Sequence, residues 1–158
     1  MGKFVSRREV LAVVAGGLGG ALLAGPVGRA SAEEQAVTLY ILPGALPGPD
    51  GKGHDSFVPS SFVVKAGAPA RLTVISYDDG EHSITAPALN LNLTIKGGTK
   101  VGSKVQPATT TATITVAKPG TYRWYCALQC DGPSHWAMDQ GNAGQGKEGY
   151  MAGFIVVM

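Results

Sequence analysis

From Val37 onward the sequence is cut by Gly, Pro and Asp turns into short apolar and β-branched stretches, and this spacing restricts the fold more than any other feature. Thr109–Val116 is β-branched except at Ala112. Such side chains crowd a helix and suit a pleated strand. Strands are predicted over Val37–Leu42, Ser61–Lys65, Arg71–Tyr77, His82–Thr85, Leu93–Lys96, Thr109–Val116, Thr121–Tyr125 and Gly153–Met158. Arg71–Tyr77 alternates, with Leu72 and Val74 on one face and Thr73 and Ile75 on the other. Residues 43–60 are rich in Gly, Pro and Asp and read as loop. A helical period is absent except for a turn or two within 131–148. About eight short strands with turn-like spacing predict an all-β fold, a Greek-key β-sandwich or barrel, in a single domain.

The first 32 residues read differently. Ser6-Arg7-Arg8-Glu9-Val10-Leu11 is a twin-arginine pattern, the apolar stretch Leu11–Gly25 follows, and Ala30-Ser31-Ala32 supplies a small-residue cleavage site. That stretch has 15 residues and five glycines, short of the roughly 20 apolar residues a membrane span requires. Residues 1–32 are therefore expected to be an export signal of the twin-arginine route, and 33–158 a domain of the periplasm or extracytoplasmic space with no membrane span of its own. Of the 13 basic and 11 acidic residues, four basic and one acidic fall in 1–32, which leaves 33–158 at a net charge of −1. A near-neutral domain lacks the basic footprint of a nucleic-acid binder.

Soft and borderline metal donors are few but concentrated. Cys126, Cys130, His135, Met138 and Met151 fall within 26 residues, and His82 opens an earlier strand. Thiolate, imidazole and thioether together suit copper, because sulfur favours Cu(I) and imidazole serves both oxidation states. Zinc accepts Cys and His but gains nothing from thioethers.

These residues carry a resemblance. Gly120-Thr121-Tyr122-Arg123-Trp124-Tyr125-Cys126 resembles the penultimate strand of the cupredoxin family, which delivers a Cys ligand at its end. Met151-Ala152-Gly153-Phe154-Ile155-Val156-Val157 resembles the family's last strand, which opens with an axial Met, and Glu81-His82-Ser83-Ile84 is similar to its upstream His motif. The likeness spans roughly Val64 to Val157, with its three motifs in the family's order. Within the family, Cys126-x-x-x-Cys130 followed by His135-x-x-Met138 resembles the binuclear purple-copper (CuA) loop of cytochrome oxidase subunit II and nitrous-oxide reductase. That resemblance implies bridging thiolates at Cys126 and Cys130, terminal nitrogens at His82 and His135, and the Leu128 carbonyl beside them. Four residues separate Cys130 from His135 where the family loop has three, and twelve more, 139–150, separate Met138 from Met151. Spacing favours Met138 as the axial ligand and strand position favours Met151; the latter is expected, because a strand holds it. One copper or two remains open.

Several neighbours acquire expectations from this placement. Loop 43–60 enters at the end where His82 lies and brings His54 and Asp55 near, as ligand, lid or simply solvated side chains. Trp124, Tyr125 and Trp136 are expected to form an apolar shell, and Asp78, Asp79, Glu81 and Asp131 an acidic rim that steers a partner. The expected function is one-electron transfer through copper, not catalysis, with a redox partner such as a cytochrome or a terminal oxidase or reductase, whose detached electron-entry subunit this chain could be. The competing readings are copper storage, delivery or sensing, and a metal-free interaction sandwich with a Cys126–Cys130 disulfide. Such a bridge closes a very small loop, constrains little entropy and leaves the histidines unexplained.

Overall fold

The computed structural model describes residues 33–48, 51–128 and 149–158. Its strands are β1 (Gln35–Pro47), β2 (Gly53–Val58), β3 (Phe62–Val64), β4 (Pro69–Ser76), β5 (His82–Ala86), β6 (Leu91–Ile95), β7 (Thr99–Val101), β8 (Lys104–Gln106), β9 (Ala108–Thr115), β10 (Gly120–Tyr125) and β11 (Ala152–Val157). One sheet has the order β2-β1-β4-β9 and the other β3-β11-β10-β5-β6, with β7 and β8 forming a separate hairpin. Because β2 leads to β3 in the other sheet, β3 back to β4, and β4 across again to β5, consecutive strands alternate between layers, as in a Greek-key sandwich. Among the described residues no helix is long and apolar enough to cross a membrane.

Period-two alternation builds the core. Leu39 and Ile41 of β1 and Ala70, Leu72 and Val74 of β4 face Ile84 and Ala86 of β5, Trp124 of β10 and Ile155 and Val157 of β11 in one buried cluster. Full burial of a Leu, Ile or Phe side chain contributes roughly 1.5–3 kcal/mol, so this two-sided cluster is what joins the sheets.

The eight predicted strands are all present, with ends shifted by a few residues. Residues 43–60 are not loop: β1 continues to Pro47 and β2 pairs with it. The breakers are tolerated because β4 pairs with β1 only as far as Ile41, and the β1–β2 register slips between Leu42 and Leu46. Pro43, which has no N–H to give, falls in that slip, and Gly44 takes φ +59 there. The β7–β8 hairpin was not legible in the sequence, since it has no buried face; Val101 is 60% exposed.

Gly153 marks the tightest approach. A Cβ built there would collide with the Ser60 carbonyl, where the chain entering β3 crosses β11. Backbone on both sides cannot yield, so Gly153→Ala is expected to destabilise the metal-free protein by about 1–3 kcal/mol, read as a lowered midpoint in urea. An unchanged midpoint would show that the two strands separate freely.

Candidate metal centre

Two antiparallel pairings, β10 with β5 and β10 with β11, decide where the donors meet. Tyr125 of β10 lies opposite Thr85 of β5 and Ala152 of β11. The start of β5, the end of β10 and the start of β11 therefore share one pole of the sandwich. His82 opens β5, Cys126 follows β10 and Met151 precedes β11, and each is fully buried at 0% exposure. Trp124 and Cys126 point inward on alternate residues, with Tyr125 between them on the other face.

The cysteine sulfur is set in a polar collar. The Ser83 amide N–H points to Cys126 Sγ at 3.3 Å, and Ser83 Oγ lies 4.0 Å from it. Ser83 Oγ in turn accepts the Ala127 N–H at 2.8 Å. The Leu128 carbonyl, expected beside the site, is 3.6 Å from the sulfur. The Cys126 N–H donates to the Met151 carbonyl at 2.8 Å, which ties two candidate donors through backbone.

His82 is oriented just as firmly. Its Nε2–H donates to Asp78 Oδ2 at 2.8 Å, and the same oxygen accepts the Gly80 N–H at 3.1 Å. Phe57 meets the ring edge-on at 6.3 Å between centroids and packs on Trp124 at 4.7 Å. The other ring nitrogen, Nδ1, is buried and has no hydrogen-bond partner among the described residues. A buried polar atom left unpaired costs about 1–3 kcal/mol, so its persistence needs a reason. Burial is the largest influence on this imidazole and would lower its pKa; the Asp78 carboxylate, then the negative charge of the Cys126 sulfur as thiolate, outweigh it and push His82 up to about 9. Asp78 is held below the usual carboxylate range, chiefly by its hydrogen bond to His82.

The shift has a consequence for the metal-free protein. A pKa raised from 6.5 to about 9 in the folded state adds stability that is complete below pH 6.5 and is lost as pH rises through about 9. Urea unfolding of metal-free protein from pH 6 to pH 9.5 is expected to show this decline, and Asp78→Asn to flatten it. A native profile already flat over that range would contradict the pairing.

An orphaned imidazole nitrogen, a cysteine sulfur and a buried thioether at one pole fit copper. His82, Cys126 and Met151 would hold it, and Asp78 is the outer carboxylate that leaves Nδ1 free for metal. Cys130, His135 and Met138 lie outside the described residues, as do Trp136 and Asp131. Of the expected apolar shell, Trp124 is fully buried, whereas Tyr125 turns to Arg123, whose guanidinium sits 5.7 Å from the ring centre. Of the acidic rim, Asp78 is committed to His82, and Asp79 pairs at 3.7 Å with Lys100 on the exposed hairpin.

His54 is not a solvated loop residue. It is buried in β2, edge-on to Tyr150 at 6.0 Å between ring centres. Asp55, Asp78 and His82 also form a group whose ligating atoms lie within 4.8 Å of one another. Within that group Asp78 is already hydrogen-bonded to His82 Nε2, and Asp55 Oδ1 accepts the Gly44 N–H at 2.9 Å and so caps the β1 bulge. Sequence reasoning missed the Asp78 role; its signal was a carboxylate four residues before the histidine, across a turn containing Gly80.

No protein-family profile matches the sequence, and no curated protein matches it. Solved structures resemble it loosely. The metal-binding domain of the Cu(I)-exporting P-type ATPase CopA of Streptococcus pneumoniae is 11% identical, with 79% of this chain and 86% of that one covered at a TM-score of 0.46. The periplasmic domain of cytochrome oxidase subunit II of Bradyrhizobium japonicum is 16% identical, covering 77% and 83% at a TM-score of 0.44. The copper-containing nitrite reductase of Thermus scotoductus is 21% identical, covering 79% of this chain but 28% of that one, at 0.48. Similarities of this size lend the chain no chemistry.

Proposed function

We propose that this chain is a copper protein of the cupredoxin kind that carries single electrons outside the cytoplasm, exported by its residues 1–32. What supports the reading above all is the unpartnered, buried Nδ1 of His82 at the pole where Cys126 and Met151 are also buried. By the sequence resemblance, Cys130, His135 and Met138 would complete the donor set. Copper supplies a Cu(I)/Cu(II) couple; the chain supplies constancy around it. Asp78 holds the ring of His82, and the Ser83 N–H donates to the sulfur and withdraws electron density from it, which favours the reduced state. The buried strands limit movement and water, so little has to reorganise when an electron arrives or leaves. The proposed donors are all protein side chains, a set suited to transfer to a redox protein such as a cytochrome or a terminal oxidase or reductase.

The test is to load the full chain with copper and record stoichiometry, optical and electron paramagnetic resonance spectra. Two coppers with a purple mixed-valence signal support a bridged site, and one copper with a strong thiolate band a mononuclear one. A colourless protein in which both cysteines resist alkylation until reduced would overturn the proposal in favour of the disulfide-bridged interaction sandwich. Copper that is bound but exchanges freely with a competing chelator and does not cycle would favour storage or delivery.

A further inference from the structure

Strand β2 is an edge of its sheet, yet His54, Asp55, Ser56 and Phe57 are all buried, four in succession, where one-sided burial would alternate. The segment that carries Met151 lies along that edge. The Phe57 N–H donates to the Tyr150 carbonyl at 2.9 Å, and Ser56 Oγ donates to the Gly149 carbonyl at 2.9 Å while lying 3.3 Å from the Phe57 carbonyl. With the Cys126 N–H on the Met151 carbonyl, three successive carbonyls before β11 are each held by a donor from elsewhere in the chain. Two of these donors are backbone N–H groups that survive any substitution but proline; Ser56 alone is a side chain. It grips Gly149, whose φ of +88 and lack of a Cβ make it the loosest link, and whose N–H closes the turn onto the Ala152 carbonyl at 3.1 Å.

We infer that Ser56 is a positioning residue for Met151, fixing where the thioether stands relative to Cys126 and His82. The inference rests on the copper reading. Without the Ser56 hydroxyl the Gly149–Ala152 turn gains freedom, and the thioether samples a range of positions.

The experiment is a double-mutant cycle on the copper-loaded full chain, Ser56→Ala with and without Met151→Leu. Ser56→Ala is expected to bind the same number of coppers and to shift visible bands and reduction potential in the direction of Met151→Leu by a smaller amount. Ser56→Thr, which keeps the hydroxyl, is expected to restore both, and Ser56→Ala to add nothing once Met151 is Leu. In metal-free chain the Met151 methyl resonance is expected to broaden or split in Ser56→Ala. Equal shifts in both backgrounds, or unchanged bands, potential and methyl resonance, would overturn the role. If Met151→Leu itself leaves the copper spectrum untouched, the role falls while the Cys126–His82 reading stands. A chain that takes up no copper refutes the electron-carrier reading, and the methyl resonance still decides whether Ser56 holds Met151.

Discussion

Cys126→Ser is expected to abolish the copper–thiolate absorption of the loaded protein, the largest single effect any substitution here should have. The sulfur sits at 0% exposure, at the meeting of β5, β10 and β11, and receives the Ser83 N–H at 3.3 Å. Serine nearly matches it in shape and can accept the same hydrogen bond, so the fold is expected to survive and the loss to be chemical. A hydroxyl does not ionise near neutral pH and is a hard donor, so neither the charge nor the soft covalency that copper requires is replaced. Optical and electron paramagnetic resonance spectra at equal protein and copper decide it, with a near-ultraviolet circular dichroism spectrum to show intact packing. A variant that keeps the full visible band with native intensity would move the chromophore to another residue and refute the assignment of Cys126.

Asp78→Asn is expected to weaken copper binding by about 10–100-fold, the usual cost of losing an outer partner of a histidine ligand. The pH at which this is measured determines how much of it appears. With its pKa pushed up to about 9, His82 carries a proton at pH 7 that copper must displace, which weakens binding there. Removing the Asp78 charge relieves that competition while it loosens the ring, and the two effects oppose each other. The deficit of the variant is therefore largest near pH 9 and above, and shrinks toward pH 7. Competition against a chelator of known affinity at both pH values checks the sign. A deficit that grows as pH falls would mean that Asp78 does not govern protonation of His82.

Legibility in the sequence followed the range of the interaction that carried each feature. The strands of β4, β9 and β10 could be read because alternation and β-branching act between near neighbours, and the donor chemistry could be read because residue type alone sets softness. β2 was misread because its Pro- and Gly-rich surroundings signal a turn unless one knows that a register slip in β1 absorbs them. Asp78 was misread because an acid in a turn is ordinarily solvated; only the position of the β5 start beside it turns its carboxylate to His82. The hairpin β7–β8 was missed because two polar strands without a buried face leave no period to detect.

By itself, then, the sequence determined the all-β character, the alternation that builds the core, and a sulfur–nitrogen donor set concentrated in the last third of the chain. Tertiary structure decided which nitrogen of His82 is left open, which acid orients it, and which strand braces Met151. Those outcomes depend on groups far apart in the chain, Cys126 standing 43 positions after Ser83 and Gly149 standing 93 after Ser56. No local propensity encodes such contacts; they exist only after burial has paired the strands and set their register.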